Sequence, residues 1–125
     1  EDYLYESFET LSPLQRLQSV FGHINGMPEM SSTSEAKKMC MFLRWMIRRD
    51  SCVDFGLWQR FHPRERNVPL DTHVHRIAMD LGLTQKRKCI RTACDITNIL
   101  AQIWPDDPVK GDFALFGFGI NESVK

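Results

Sequence analysis

One stretch organises this chain, and it reads Pro69-Leu70-Asp71-Thr72-His73-Val74-His75-Arg76-Ile77. Pro69 favours extended backbone before it. Asp71 stands where a helix is expected to begin, because apolar residues follow at helical spacing before Gly82, at Val74, Ile77, Ala78 and Leu81. An aspartate at an N-cap uses one carboxylate oxygen on the helix backbone and keeps the other free. The position therefore suits a simple helix cap, and it equally suits a catalytic carboxylate.

Length and composition are those of one ordinary domain. The chain has 125 residues, and 42% of them are apolar, which is enough for a core of its own. No apolar run reaches the roughly 18 residues of a membrane span, and no signal peptide is visible. We therefore expect a single soluble, cytoplasmic domain over residues 1–125, without a membrane partner. Because the sequence begins with Glu1 and not with Met, we expect it to be a piece of a longer chain.

Charge is unevenly distributed, although the formal net charge is zero. Residues 1–36 contain one arginine against six acids, residues 37–91 contain thirteen Lys and Arg against five acids, and residues 92–125 contain two against five. The basic third includes the Asp71 stretch and a run of cations in the first turns of a predicted helix, where they oppose the helix dipole. This pattern favours a polyanionic partner, whereas solvated helix faces would give the same counts.

Helical periodicity recurs along the chain, and no segment alternates as a strand does. Helices are predicted after Ser12-Pro13, over about 33–49, from Asp71 to about 81, over about 85–103 after Thr84, and after Pro108. Ser32 and Glu35 form a capping box at the start of the second of these helices. Residues 50–70 are expected to form a long ordered loop, with one helical turn near residues 56–58. The predicted fold class is all-α.

The helix predicted over about 33–49 has two different faces. Leu43 and Ile47 belong to an apolar stripe that is typical of a buried face. The other side is a cationic ridge with an aromatic residue beside it, formed by Lys37, Lys38, Arg44, Arg48, Arg49 and Trp45. A helix laid along a phosphate backbone needs such a ridge, and an ordinary amphipathic surface helix shows it too.

Metal chemistry is not indicated. The cysteines contain no C-x-x-C pair and are expected to be free thiols, at Cys40, Cys52, Cys89 and Cys94. His73 and His75 are two residues apart, so they do not share a helix face and are not expected to form a metal pair. We therefore expect neither a metal nor another cofactor.

Three segments resemble a known family. They are Ala36-Lys37-Lys38-Met39-Cys40-Met41-Phe42-Leu43-Arg44-Trp45-Met46, the stretch at 69–77, and Asp107-Pro108-Val109-Lys110-Gly111-Asp112-Phe113-Ala114-Leu115-Phe116-Gly117-Phe118-Gly119. Together they look like an uncharacterised bacterial family that is distantly related to the helix-hairpin-helix base-excision DNA glycosylases, the endonuclease III superfamily. The agreement with the glycosylases themselves rests on Asp-Thr-His-Val-x-Arg at 71–76 and on a lysine that begins the preceding helix.

The resemblance implies a helix-hairpin-helix glycosylase-like domain, incomplete at its amino terminus, that acts on damaged or abasic duplex DNA. Lys37 matches the glycosylase lysine, which attacks C1′ of the nucleotide and forms a Schiff base. Lys38, one residue away, is the other candidate for this match. Asp71 matches the catalytic aspartate, which stabilises positive charge in the transition state. In the glycosylases, the hairpin turn before the lysine reads Leu-Pro-Gly-Val-Gly, and its backbone binds a DNA phosphate. Residues 30–36 contain no glycine at this place.

The same resemblance assigns roles around the catalytic pair. Contacts with nucleic acid are expected from Lys38, Arg44, Arg48, Arg76 and Trp45, with Trp58 as the other tryptophan that is able to stack on a flipped base. The alternative is that the tryptophans are core residues, which is the favoured interpretation for Trp58. His73 is expected to support the turn at Asp71. Two other interpretations stay open: a non-catalytic nucleic-acid-binding module with the same fold, and a helical domain in which Asp71 is only a cap.

Overall fold

All regular secondary structure in the described residues is helical. The computed structural model describes residues 1–7, 11–25, 36–49 and 51–124. Within these ranges the regular elements are α1 (Asp2–Ser7), α2 (Pro13–Phe21), α3 (Lys37–Ile47), a 3-10 turn at Pro63–Glu65, α4 (Thr72–Asp80), α5 (Ile90–Leu100) and α6 (Lys110–Val124). The predicted all-α class is confirmed. In the same ranges, no helix is long and apolar enough to cross a membrane.

Hydrogen bonds confirm two of the predicted helix starts. The Ser12 hydroxyl accepts the Gln15 N–H at 3.3 Å, while the Gln15 side chain accepts the Ser12 N–H at 3.0 Å, which completes a capping box at α2. At α4, Asp71 Oδ1 accepts the Val74 N–H at 2.8 Å. The capping box predicted at 32–35 lies outside the described residues, as does most of the hairpin segment at 30–36.

Helix α5 begins later than predicted. The expected start was near residue 85 with Thr84 as the cap, but the helix begins at Ile90. The Thr84 hydroxyl instead accepts the Lys86 N–H at 3.1 Å and closes a turn in the preceding loop. A longer helix would put the cations at 86–88 in its first turn, where they oppose the helix dipole. The late start keeps these three cations out of the first turn of the helix.

The loop before α4 is ordered, as predicted, but its course differs in one place. Gly56 has a left-handed φ of 60°, and its N–H donates to the Trp45 carbonyl at 3.0 Å. The helical turn expected at 56–58 is therefore wrong, because a left-handed residue does not continue a helix. Phe61 is buried and Trp58 is half-buried against the same core cluster, which favours the core interpretation of Trp58.

Two apolar clusters form the core. The first joins α1, α2 and α3 to Phe61, and the second joins the end of the long loop to α4, α5 and α6. Ile90 contacts both clusters. Helix α6 lies against α4 so closely that a Cβ at Gly119 would stand 2.5 Å from His73 Nε2. This packing positions the start of α3, the start of α4 and the first turns of α6 next to one another.

Candidate functional site

The structure brings Lys37 and Asp71 together. Lys37 Nζ lies 3.4 Å from Asp71 Oδ2. The other carboxylate oxygen, Oδ1, is held by the Val74 N–H at 2.8 Å, so the helix cap fixes the carboxylate and leaves Oδ2 to face the lysine. The two side chains are 41% and 29% exposed, so both are partly covered and still open to solvent.

The backbone that presents Lys37 is unusual. Ala36, the residue before it, is buried and has φ 50°, and it is the N-cap of α3 without a side-chain hydrogen bond. A left-handed alanine is uncommon, and such conformations cost roughly 1–3 kcal/mol and cluster at functional sites. The lysine is thus the first residue of a helix that begins in strained backbone.

A cavity of about 250 Å³ opens between α3, α4 and α6 and includes this pair. Its polar lining consists of Lys37, Arg44, Asp71 and Asp112. Its apolar lining consists of Met41, Pro69, Val74, Phe113 and Phe116. A small concave site with apolar walls and a few convergent charged groups is the usual form of a ligand pocket.

The environment keeps Asp71 ionised. Burial raises the pKa of this carboxyl, but the Val74 N–H bond and the Lys37 ammonium together outweigh burial, and the pKa lies below its ordinary value. The His73 ring acts in the same direction. Asp71 is therefore a carboxylate at neutral pH, which suits the stabilisation of positive charge.

Asp112 is a second carboxyl group in this cavity, and no role was predicted for it from the sequence. It is only 8% exposed, and its Oδ2 accepts the Arg44 Nη1–H at 2.9 Å. Burial is the main cause that raises its pKa, to about 6; the Arg44 guanidinium opposes this and the charge of Asp71 adds to it. The sequence did contain a signal for this role. Asp112 is an acid in an otherwise apolar and aromatic predicted helix, and it lies in the segment at 107–119 that resembles the family.

Two predicted phosphate contacts belong to an internal ion network instead. Arg44 donates from Nε to Asp54 at 3.2 Å. Arg48 is 4% exposed and donates from Nε and Nη2 to Asp107 at 3.1 and 3.2 Å. Asp107 also accepts from the buried Arg66, at 2.6 Å. Because its guanidinium is buried against carboxylates, Arg48 is not available to a DNA backbone in this structure, and we remove it from the candidate interface.

The other predicted residues lie nearer the surface. Lys38 and Arg76 are exposed on α3 and α4, and Trp45 is 38% exposed. His73 is half-buried, and its ring meets the Phe116 ring edge-to-face at 5.5 Å between centroids. His73 therefore fastens the first turn of α4, which Asp71 caps, to the helix that carries Asp112.

A basic segment at residues 86–91 lies beside the site and was not among the predicted contacts. Lys88 Nζ donates to Thr72 Oγ1 at 3.0 Å, and His75 Nε2 lies 2.8 Å from the Lys86 carbonyl. Both bonds attach the segment to the first turns of α4. The signal in the sequence was the run of cations before a helix, where the dipole disfavours them.

Comparison with known proteins identifies the family. The chain belongs to the family described as "Protein of unknown function (DUF2400)", whose model matches residues 3–121. No curated protein and no solved structure matches the chain. The family description assigns no activity, so the function has to be argued from the site.

Proposed function

We propose that this protein is a DNA base-excision repair glycosylase or AP lyase that acts on damaged or abasic duplex DNA, on a helix-hairpin-helix glycosylase-like fold. The observation that supports it is the 3.4 Å approach of Lys37 Nζ to a capped carboxylate, Asp71, inside a cavity. Lys37 is the proposed nucleophile rather than Lys38, because Lys38 is exposed and is not among the residues that line the cavity.

The proposed reaction uses this pair in a simple order. Lys37 reacts as the uncharged amine after it releases a proton to solvent, while Asp71, whose Oδ2 is directed at this nitrogen, stays ionised. The nitrogen bonds to C1′ of the abasic sugar as the C1′ hydroxyl takes up a proton and leaves as water, and the ring then opens to a Schiff base as a proton passes from the nitrogen to the ring oxygen. The positive charge that develops at C1′ and nitrogen lies next to the Asp71 carboxylate, which stabilises it.

The remaining features fit a nucleic-acid substrate. A cavity of about 250 Å³ with aromatic walls suits a flipped nucleotide, which has to leave the base stack to reach the lysine. Exposed cations lie on the helices that form the cavity, with Lys38 on α3 and Arg76 on α4, and the basic segment at 86–91 is attached to the first turns of α4. Such cations neutralise backbone phosphates and give salt-dependent affinity. Trp45 is exposed enough to stack on a base.

Borohydride trapping on an abasic duplex tests the proposal. We expect a covalent protein–DNA adduct with the wild type, the same adduct with Lys38→Ala, and none with Lys37→Ala. The Lys38 variant is the matched control, since it removes the neighbouring charge from the same helical turn. An adduct that persists in Lys37→Ala refutes the assignment. Salt-dependent binding without any adduct leaves two options, a monofunctional glycosylase and the alternative, a non-catalytic nucleic-acid-binding module, and a screen for release of damaged bases separates them.

A further inference from the structure

The cavity that contains Lys37 and Asp71 has a second carboxyl group, which the proposed reaction leaves unused. Asp112 enters the lining from α6, while Lys37 comes from α3 and Asp71 from the start of α4. The aromatic side chains of Phe113 and Phe116 line the cavity beside it. One small cavity thus joins an amine and two carboxyl groups from three helices.

The charged groups around Asp112 hold it in place without exposing it. Arg44 and Arg48 face it from α3, and Asp71 faces it from the start of α4. Arg44 Nη1 donates to Oδ2 at 2.9 Å, and among the described residues no hydrogen bond reaches Oδ1. Asp112 therefore has one oxygen fixed by a guanidinium and a second that is available to a group bound in the cavity.

Resting on the proposed function, we propose that Asp112 is a catalytic acid of this site and protonates the group that leaves C1′ while Lys37 attacks. The Lys37 Nζ–C1′ bond forms as the bond from C1′ to the hydroxyl oxygen, or to the damaged base, breaks. The electron pair leaves with that oxygen or base, and the proton of Asp112 joins it. Lys37 attacks as the uncharged amine after it releases its proton to solvent, and Asp71 stays ionised beside the developing positive charge. The two carboxyl groups therefore have different tasks, since one donates a proton and the other stabilises charge.

The environments of the two carboxyl groups agree with this division. An acid has to hold its proton near the working pH, and burial raises the pKa of Asp112 to about 6. The pKa of Asp71 lies below its ordinary value, since the Val74 N–H and Lys37 outweigh the effect of burial. Two carboxyl groups whose pKa values are pushed apart, one protonated to act as an acid and the other ionised to stabilise charge, are a common arrangement in enzymes.

The pH dependence of single-turnover trapping tests this role. Trapping of the wild type with cyanoborohydride on an abasic duplex should slow as the pH rises through about 6, where Asp112 loses its proton. Asp112→Asn should remove this break and slow the reaction at pH 6 by roughly 100-fold, the usual effect of losing a general acid. Asp112→Glu should restore a break at a shifted pH. Asp80→Asn, an exposed carboxyl at the other end of α4, should behave as the wild type.

Each contrary outcome overturns a defined claim. An unchanged profile in Asp112→Asn, or a parallel loss of rate at every pH with the break retained, shows that Asp112 is structural. If Asp112→Asn does not fold, Asp112→Glu decides, because an unmoved break contradicts the proposal. If the wild type forms no adduct, the proposed Schiff-base reaction of Lys37 fails and this role of Asp112 fails with it. A Lys37-dependent adduct with an unchanged profile removes the role of Asp112 alone.

Discussion

Asp71→Asn separates the helix cap that Asp71 forms from the catalytic task that we propose for it. The substitution keeps an oxygen in the place of Oδ1, which accepts the Val74 N–H at 2.8 Å, and asparagine caps helices about as well as aspartate. It removes the negative charge that faces Lys37. We therefore expect a protein that folds almost normally and has lost its reaction.

The magnitudes follow from the geometry. Both members of the Lys37–Asp71 pair are more than a quarter exposed, so losing the pair should cost no more than about 1 kcal/mol of folding free energy. Asp71→Ala also loses the cap, which adds roughly 0.5–2 kcal/mol. Catalysis should respond differently, because losing a group that stabilises transition-state charge slows reactions by roughly 100- to 1,000-fold. Both variants should therefore be inactive, while only the alanine variant is clearly less stable.

Thermal unfolding and single-turnover trapping on an abasic duplex, measured on the same preparations, give both quantities. The asparagine variant should unfold within a few degrees of the wild type and trap at least 100-fold more slowly, as expected for a lost charge stabiliser. Wild-type trapping by Asp71→Asn would refute the reasoning, since Asp71 would then be a cap and nothing more.

Further predictions concern the surroundings of the site. Because the pKa of Asp112 is raised to about 6, folding stability should fall as the pH rises from about 4 to 6, by on the order of 3 kcal/mol, and urea unfolding of Asp112→Asn should lack this decline. Arg48→Ala breaks a buried ion pair and should cost about 3–5 kcal/mol in thermal or urea unfolding, with the salt dependence of DNA binding unchanged. Arg87→Ala, in contrast, should leave stability within about 0.5 kcal/mol and reduce the slope of log K against log salt by about 0.9, measured by fluorescence anisotropy. Gly119→Ala forces a Cβ to within 2.5 Å of His73 Nε2 and should lower stability by about 1–3 kcal/mol; an unchanged melting temperature would contradict the close packing of α6 on α4.

The Asp71 cap of α4 could be predicted from the sequence because it depends only on residues close to it in the chain. Asp71, the apolar spacing after it and the glycine that ends the run lie within about a dozen positions. The approach of Lys37 to this cap was different. That prediction followed from the resemblance and not from periodicity, because helical spacing does not show which helix starts lie next to each other in the fold.

The ion network escaped prediction because its partners are distant in sequence. Arg48 and Asp107 are 59 residues apart, and Arg44 and Asp112 are 68 apart. On a helical wheel, an arginine that pairs internally looks the same as one that faces solvent. The cations of the predicted ridge therefore do lie on or next to α3, but two of them, Arg44 and Arg48, pair with acids from α6 and from the loop that precedes α6.

The ion network also explains part of the uneven charge distribution along the sequence. Asp107 and Asp112 come from the acidic end of the chain and pair with Arg44, Arg48 and Arg66 from the basic middle, so part of the basic excess is neutralised inside the fold. A phosphate that sought Arg44 would have to displace the Asp112 carboxylate, which is bound at 2.9 Å. Arg44 is thus better suited to orienting the cavity's carboxyl group than to holding a DNA backbone, and the proposed DNA contacts are left to exposed cations such as Lys38 and Arg76.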